Sequence, residues 1–236
     1  MAFLSRQDLV LMPGLDGTGK SFEPILPLIA EDARVTVIRY PANRVLSFDE
    51  TVECAMSQIP ENSLPVIIAE SFSGPVAVRL GASGRGRIRA LVMCATFVRA
   101  PRPLMWRIVR FLRLPLLIGP DMPRPFFKFV MGDDSLIDAL LPLWKKVHAG
   151  ISPRVMEERL SVINRIDVTA DLSRLSLPCL FLQATDDRVI PSSCLADMVC
   201  RMPHLVIEKI QAPHFILQAR PHACLAAIED FLKRVR

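Results

Sequence analysis

The stretch Leu64-Pro-Val-Ile-Ile-Ala-Glu-Ser-Phe-Ser-Gly-Pro-Val-Ala-Val-Arg-Leu80 limits the possible folds more than any other part of the chain. Val66 to Ala69 is an unbroken apolar run. That is the pattern of a strand covered on both faces, and such strands belong to parallel sheets flanked by helices. A helical pattern begins directly after Ser71 and leaves no room for a loop. Ala69, Ser73 and Gly74 are small enough for strand and helix to approach closely around the serine. The spacing predicts a sharp strand-to-helix turn with the Ser71 hydroxyl pushed out above the sheet, the geometry of a nucleophile elbow. The same residues admit a plainer reading, in which Ser71 N-caps an ordinary helix. The usual elbow pattern is G-x-S-x-G, and here Ala69 and Ser73 stand in the glycine positions.

The rest of the chain continues the alternation. Strands are expected at Asp8–Met12, Arg34–Arg39, Pro65–Glu70, Ile88–Ala95, Pro178–Gln183 and Leu205–Ile210. Helices are expected at Phe22–Ala30, Phe48–Ile59, Phe72–Ala82, Ser192–Met202 and His222–Val235. Strand and helix in turn predict an α/β fold, a mainly parallel sheet of about six strands with helices on both faces. From about Arg99 to Arg165 the strand signal stops, and Pro-punctuated helical patterns cover 102–113, 123–131, 134–148 and 153–165. A helical block inserted between two strands is placed to cap a site at the carboxyl end of the sheet. The expected division is a core of residues 1–98 and 166–236 and an inserted helical cap over 99–165. Apolar cap residues such as Phe126, Phe127, Leu140 and Trp144 either hold the cap together or line a substrate pocket.

A chain of 236 residues with 51% hydrophobic content can bury a large core. No stretch approaches the ~20 apolar residues that span a bilayer. The first residues carry no targeting pattern, so a soluble, cytoplasmic protein is expected. The cysteines (54, 94, 179, 194, 200 and 224) form no C-x-x-C pair and sit mostly in apolar patterns. Buried free thiols are expected rather than disulfides or a metal site.

A serine nucleophile needs a base to take its proton and a carboxylate to orient that base. Two strand ends offer these groups. The strand at Pro178–Gln183 runs into Ala184-Thr-Asp-Asp-Arg-Val-Ile-Pro191, and the strand at Leu205–Ile210 runs into Gln211-Ala-Pro-His-Phe215. Asp186 or Asp187, and then His214, therefore fall at the rim where Ser71 emerges. His148, His204 and His222 lie away from strand ends and are expected at the surface.

With these motifs the chain resembles the α/β-hydrolase superfamily over essentially its whole length. In that superfamily the acid stands four residues before a proline, which selects Asp187 against Pro191. The histidine is commonly followed seven residues later by a proline, as His214 is by Pro221. The resemblance implies oxyanion donors at the backbone N–H groups of Phe72 and Leu15. The family's frequent His-Gly pair is Pro13-Gly14 here. The chain is similar to capped carboxylesterases such as the pimeloyl-carrier-protein methyl ester esterases. That similarity implies a serine esterase cleaving esters of apolar acyl groups through an acyl-enzyme, with no metal or organic cofactor. A thioesterase or acyltransferase acting on carrier-linked acyl groups would use the same triad.

A reading from a different class also exists. Gly14-Leu-Asp-Gly-Thr-Gly-Lys-Ser21 matches the nucleotide-binding P-loop pattern letter for letter. A P-loop must feed an unbroken helix, and Pro24 and Pro27 fall in that helix's interior, where each costs about 3 kcal/mol. Finally, seven basic residues between Arg99 and Lys128 face the single acid Asp121. Arg107, Arg110 and Arg113 recur at helical spacing. They read as a solvated cap face or as a docking surface for an anionic headgroup or an acidic acyl carrier protein. A nucleic-acid partner is not expected, because basic and aromatic residues do not interleave in a recognised module.

Overall fold

A computed structural model describes residues 3–85, 87–101, 119–132 and 134–235. Six strands form one sheet: β1 (Asp8–Met12), β2 (Arg34–Val37), β3 (Val66–Glu70), β4 (Ala90–Cys94), β5 (Cys179–Ala184) and β6 (Val206–Ile210). Their order is β2-β1-β3-β4-β5-β6, and every neighbouring pair is parallel. β3 and β4 are buried at every residue. The period of two then sorts their side chains between two cores. Ile67, Ala69, Leu91 and Met93 enter one apolar cluster, while Val66, Ile68, Ala90 and Val92 enter the other. A slip of one residue in register would exchange the two sets, so packing on both faces fixes the pairing.

Helices α1 (Phe48–Met56), α2 (Ser73–Ser83), α7 (Ser193–Arg201) and α9 (Pro221–Arg234) connect or follow these strands. α1 starts at a capping box in which Ser47 and Glu50 satisfy each other's backbone N–H groups. Between β4 and β5 lie α3 (Arg124–Met131), α4 (Asp134–His148), α5 (Pro153–Ile163) and the short α6 (Thr169–Leu172). Arg99 and Asp167 pair as an antiparallel bridge at the root of this block. Another short helix, α8 (Ile216–Ala219), follows His214. No helix among the described residues is long and apolar enough to cross a membrane.

One expected helix is absent. In place of a helix over Phe22–Ala30 the chain makes two 3₁₀ turns, Lys20–Phe22 and Leu26–Leu28. Pro24 and Pro27 lack the N–H groups a longer helix would need. The P-loop reading of Gly14 to Ser21 fails for the same reason, since no helix N-terminus stands behind the loop to face a phosphate. The glycines serve other ends: Gly17 and Gly19 take φ values of 70° and 72°.

The elbow depends on close approach. Ser71 has φ 49°, a left-handed conformation rare for a residue with a side chain, and its N–H donates to Cys94 O at 3.0 Å. The Thr96 hydroxyl donates to Ser71 O. Gly74 lies against the same threonine, and a Cβ there would sit 2.6 Å from Thr96 Cγ2. Gly74→Ala must displace Thr96 or the helix start and is expected to cost about 1–3 kcal/mol, an overpacking penalty. Thermal unfolding should show it as a drop in Tm of roughly 3–10 °C for a chain of this size. An unchanged Tm would mean that the contact is not tight.

Candidate active site

The plainer reading of Ser71 does not hold, because α2 starts at Ser73 with no side-chain cap. The Ser71 hydroxyl instead lies 2.9 Å from His214 Nε2. His214 Nδ1 is 2.8 Å from Asp187 Oδ2. The other Asp187 oxygen accepts the N–H groups of Val189 and Ile190, both at 2.8 Å, so the turn after β5 locks the carboxylate in place. Asp186 is exposed, and among the described residues its carboxylate meets only Thr185 Oγ1, at 3.4 Å. Between the two candidate acids, it is Asp187 that meets the imidazole.

Burial pulls the His214 pKa down, and the charge and hydrogen bond of Asp187, aided by Glu70, more than offset it. The imidazole therefore titrates above its ordinary value. With Nδ1–H donated to Asp187, Nε2 is the free acceptor facing Ser71.

Gly14 comes within 3.7 Å of the Ser71 Cβ, counted from the position a Cβ on it would take, so the loop carrying Leu15 lies beside the serine. Two links hold that loop. The Ser73 hydroxyl donates to Pro13 O and also meets the Tyr40 hydroxyl at 2.8 Å. Ser73 thus does something the usual glycine could not, which accounts for this departure from G-x-S-x-G. The second link is Arg159 of α5, whose buried guanidinium donates to Leu15 O at 2.9 Å, to Asp16 O and to Pro41 O at 2.9 Å. A Cβ on Gly17 would lie 2.7 Å from Arg159 Nη1, so glycine is what leaves space for that guanidinium. Neither Arg159 nor the role of Ser73 is apparent in the sequence.

A cavity of about 150 Å³ opens over Ser71 and His214. Its walls are mainly apolar and come from both layers, with Leu15 and Val189 below and Phe126, Leu140 and Trp144 above. Trp144 also packs edge-on to Phe215, ring centroids 5.7 Å apart, tying α4 to the residue after His214. His148 departs from expectation: it is buried, stacked on Trp144 at 3.7 Å, and lines this cavity. Its spacing of four from Trp144 on one helix face was the available sign. His204 and His222 are exposed as expected. Glu70, directly before Ser71, is also buried in the cavity wall, and burial, then the nearby Asp16 charge, push its pKa up to about 7.

Cys94, Cys179, Cys194 and Cys224 are buried and stand outside any disulfide, whereas Cys200 is exposed. Among the described residues no group of three or more His, Cys, Asp or Glu is placed to hold a metal ion. Arg107, Arg110 and Arg113 lie outside the described residues.

No protein-family model matches the chain. RutD of Caulobacter sp. (strain K31), named as a carbamate hydrolase, is 25% identical over 247 residues, covering 96% of this chain and 91% of that protein. The bromoperoxidase from Bacillus anthracis superposes with a TM-score of 0.80 at 17% identity, over 98% of this chain and 93% of its own. The enol-lactonase from Burkholderia xenovorans LB400 does so with a TM-score of 0.76 at 15% identity, over 98% and 92%. The superpositions extend over nearly the whole of each chain. The chain has the α/β-hydrolase fold.

Proposed function

We propose that the protein is a serine hydrolase that cleaves carboxylic esters of short acyl groups through an acyl-enzyme. The observation that carries this reading is the hydrogen-bonded line from Ser71 Oγ through His214 to Asp187, 2.9 and 2.8 Å long, under an apolar cavity. The Ser71 oxygen attacks the ester carbonyl as its proton passes to His214 Nε2. The tetrahedral oxyanion forms beside the Leu15 and Phe72 N–H groups, then collapses as His214 gives its proton to the departing alcohol. Water then attacks the acyl carbon, losing a proton to His214, and Ser71 is released with its proton restored. Asp187 holds the imidazole tautomer and offsets the charge His214 gains.

A relative named as a carbamate hydrolase and a fold neighbour named as an enol-lactonase support cleavage at an acyl carbon. The cavity volume is close to that of cavities that hold one benzene, which suits a short acyl chain. A fluorophosphonate probe tests the assignment. The expected result is a covalent adduct on the peptide containing Ser71, lost in His214→Ala. Labelling at another residue, or none on folded protein, overturns it.

A further inference from the structure

Five polar side chains interrupt the apolar wall of the cavity over Ser71: Asp16, Ser21, Glu70, His148 and Gln218. Each is less than a tenth exposed. A pocket for a purely aliphatic chain needs none of them, and each costs free energy to bury unless hydrogen-bonded. Their bonds can be counted. Asp16 Oδ2 accepts Thr18 N–H and Thr18 Oγ1, both at 2.7 Å. His148 Nδ1 meets Trp144 O at 3.0 Å. Gln218 Nε2 donates to Ser21 O and to Glu70 Oε2, both at 3.2 Å. Those donations use both amide hydrogens and fix the amide's orientation, because the reverse setting would put Oε1 against the Ser21 carbonyl.

Two atoms are left over. Gln218 Oε1, an acceptor, and Ser21 Oγ, a donor and acceptor, have no hydrogen-bond partner among the described residues. Only two other buried side-chain atoms there share that condition, Asn164 Oδ1 and Gln183 Oε1, and neither residue lines this cavity. Leaving such a group unmet costs free energy that a bound partner would recover. Ser21 and Gln218, far apart in sequence and joined by the bond from Gln218 Nε2 to Ser21 O, thus each leave one polar atom unmet, and the same amide ties them to Glu70, the residue before the nucleophile.

Resting on the esterase reading above, we propose that Ser21, Glu70 and Gln218 form a polar subsite for the acyl side of the substrate. The subsite binds a neutral group that both donates and accepts a hydrogen bond, a hydroxyl or a carboxamide on a short acyl chain. The group donates to Gln218 Oε1 and accepts from the Ser21 hydroxyl, with the Glu70 carboxyl beside it. A neutral group fits better than a cation, since the Arg159 guanidinium already stands against the Asp16 backbone carbonyl and close to its carboxylate. Glu70, held up to about 7, also carries only part of a charge at neutral pH.

The test compares methyl esters of matched length, about four to six carbons, that end in a methyl, a hydroxyl or a carboxamide. The expected result is a kcat/KM at least about tenfold higher for the polar-ended esters, because a site built to hydrogen-bond a group rejects the analogue that lacks it. Ser21→Ala and Gln218→Leu should each bring that ratio towards one. Preference for the alkyl ester, as when the unmet atoms hold only a water molecule, overturns the subsite, and so does an unchanged ratio in both variants. The intact esters are also added to Ser71→Ala and the rise in Tm is measured, which reads binding without turnover. Polar-ended preference there, with no hydrolysis by the native protein, would retain the subsite and sink the esterase reading. Hydrolysis without preference would do the reverse.

Discussion

His214→Ala is expected to lower kcat for a small ester by about 10⁴- to 10⁶-fold, the range for loss of the base in a serine triad. Among the described residues His214 is the base hydrogen-bonded to the Ser71 hydroxyl, while His148 spends Nδ1 on the Trp144 carbonyl and the Asp187 carboxylate is held at the far side of the imidazole. The same imidazole sets the pH dependence. His214 must be neutral to accept a proton, and Asp187 and Glu70 hold its pKa above the ordinary value near 6.5. Activity should therefore be full at alkaline pH and fall as the pH drops through a midpoint above that value. Asp187→Asn removes the largest upward contribution, so its residual activity should show a midpoint at lower pH. Burst kinetics and kcat/KM across pH measure both effects. A midpoint unmoved by Asp187→Asn would mean that another group governs the limb.

Much of this site can be read from the chain because each element follows from local chemistry. The unbroken run Val66 to Ala69 has the pattern of a doubly covered strand, and the small residues after it leave space for the elbow. β1 falls over Asp8–Met12 as its apolar run dictates. Asp187 and His214 follow strand ends, where the carboxyl rim of a parallel sheet brings distant residues together. What the sequence conceals depends on contacts across the fold. Pro24 and Pro27 argue against a helix over Phe22–Ala30, yet the apolar spacing there imitates one. Ser73 looks like a flawed glycine until Pro13 and Tyr40 are seen beside it. No motif links Ser21 to Gln218, 197 positions away, and only the packing of α8 against the first loop makes them neighbours.

Arg159 is the clearest such case, and it carries the second large effect. Arg159→Leu is expected to reduce kcat for a small ester by about 10²- to 10³-fold with a smaller change in KM. The guanidinium is buried and spends its hydrogen bonds on carbonyl oxygens of the loop beside Ser71 and on Pro41 O. Leucine fills similar space but leaves the Leu15, Asp16 and Pro41 oxygens unmet, at about 1–3 kcal/mol each. The loop must then shift to find partners, and the Leu15 N–H, the proposed oxyanion donor, shifts with it. Loss of one oxyanion donor is worth about that factor in kcat, and a displacement of ~1 Å can cost about 10². Arg159→Lys should recover only part of the loss, since a single ammonium cannot span three carbonyls as the planar fork does. Steady-state kinetics with Tm measured in parallel separate the outcomes. A lowered Tm with kcat intact would make Arg159 a stabilising residue only. A fall in kcat on protein folded well below its Tm would identify it as the residue through which α5 sets the oxyanion loop.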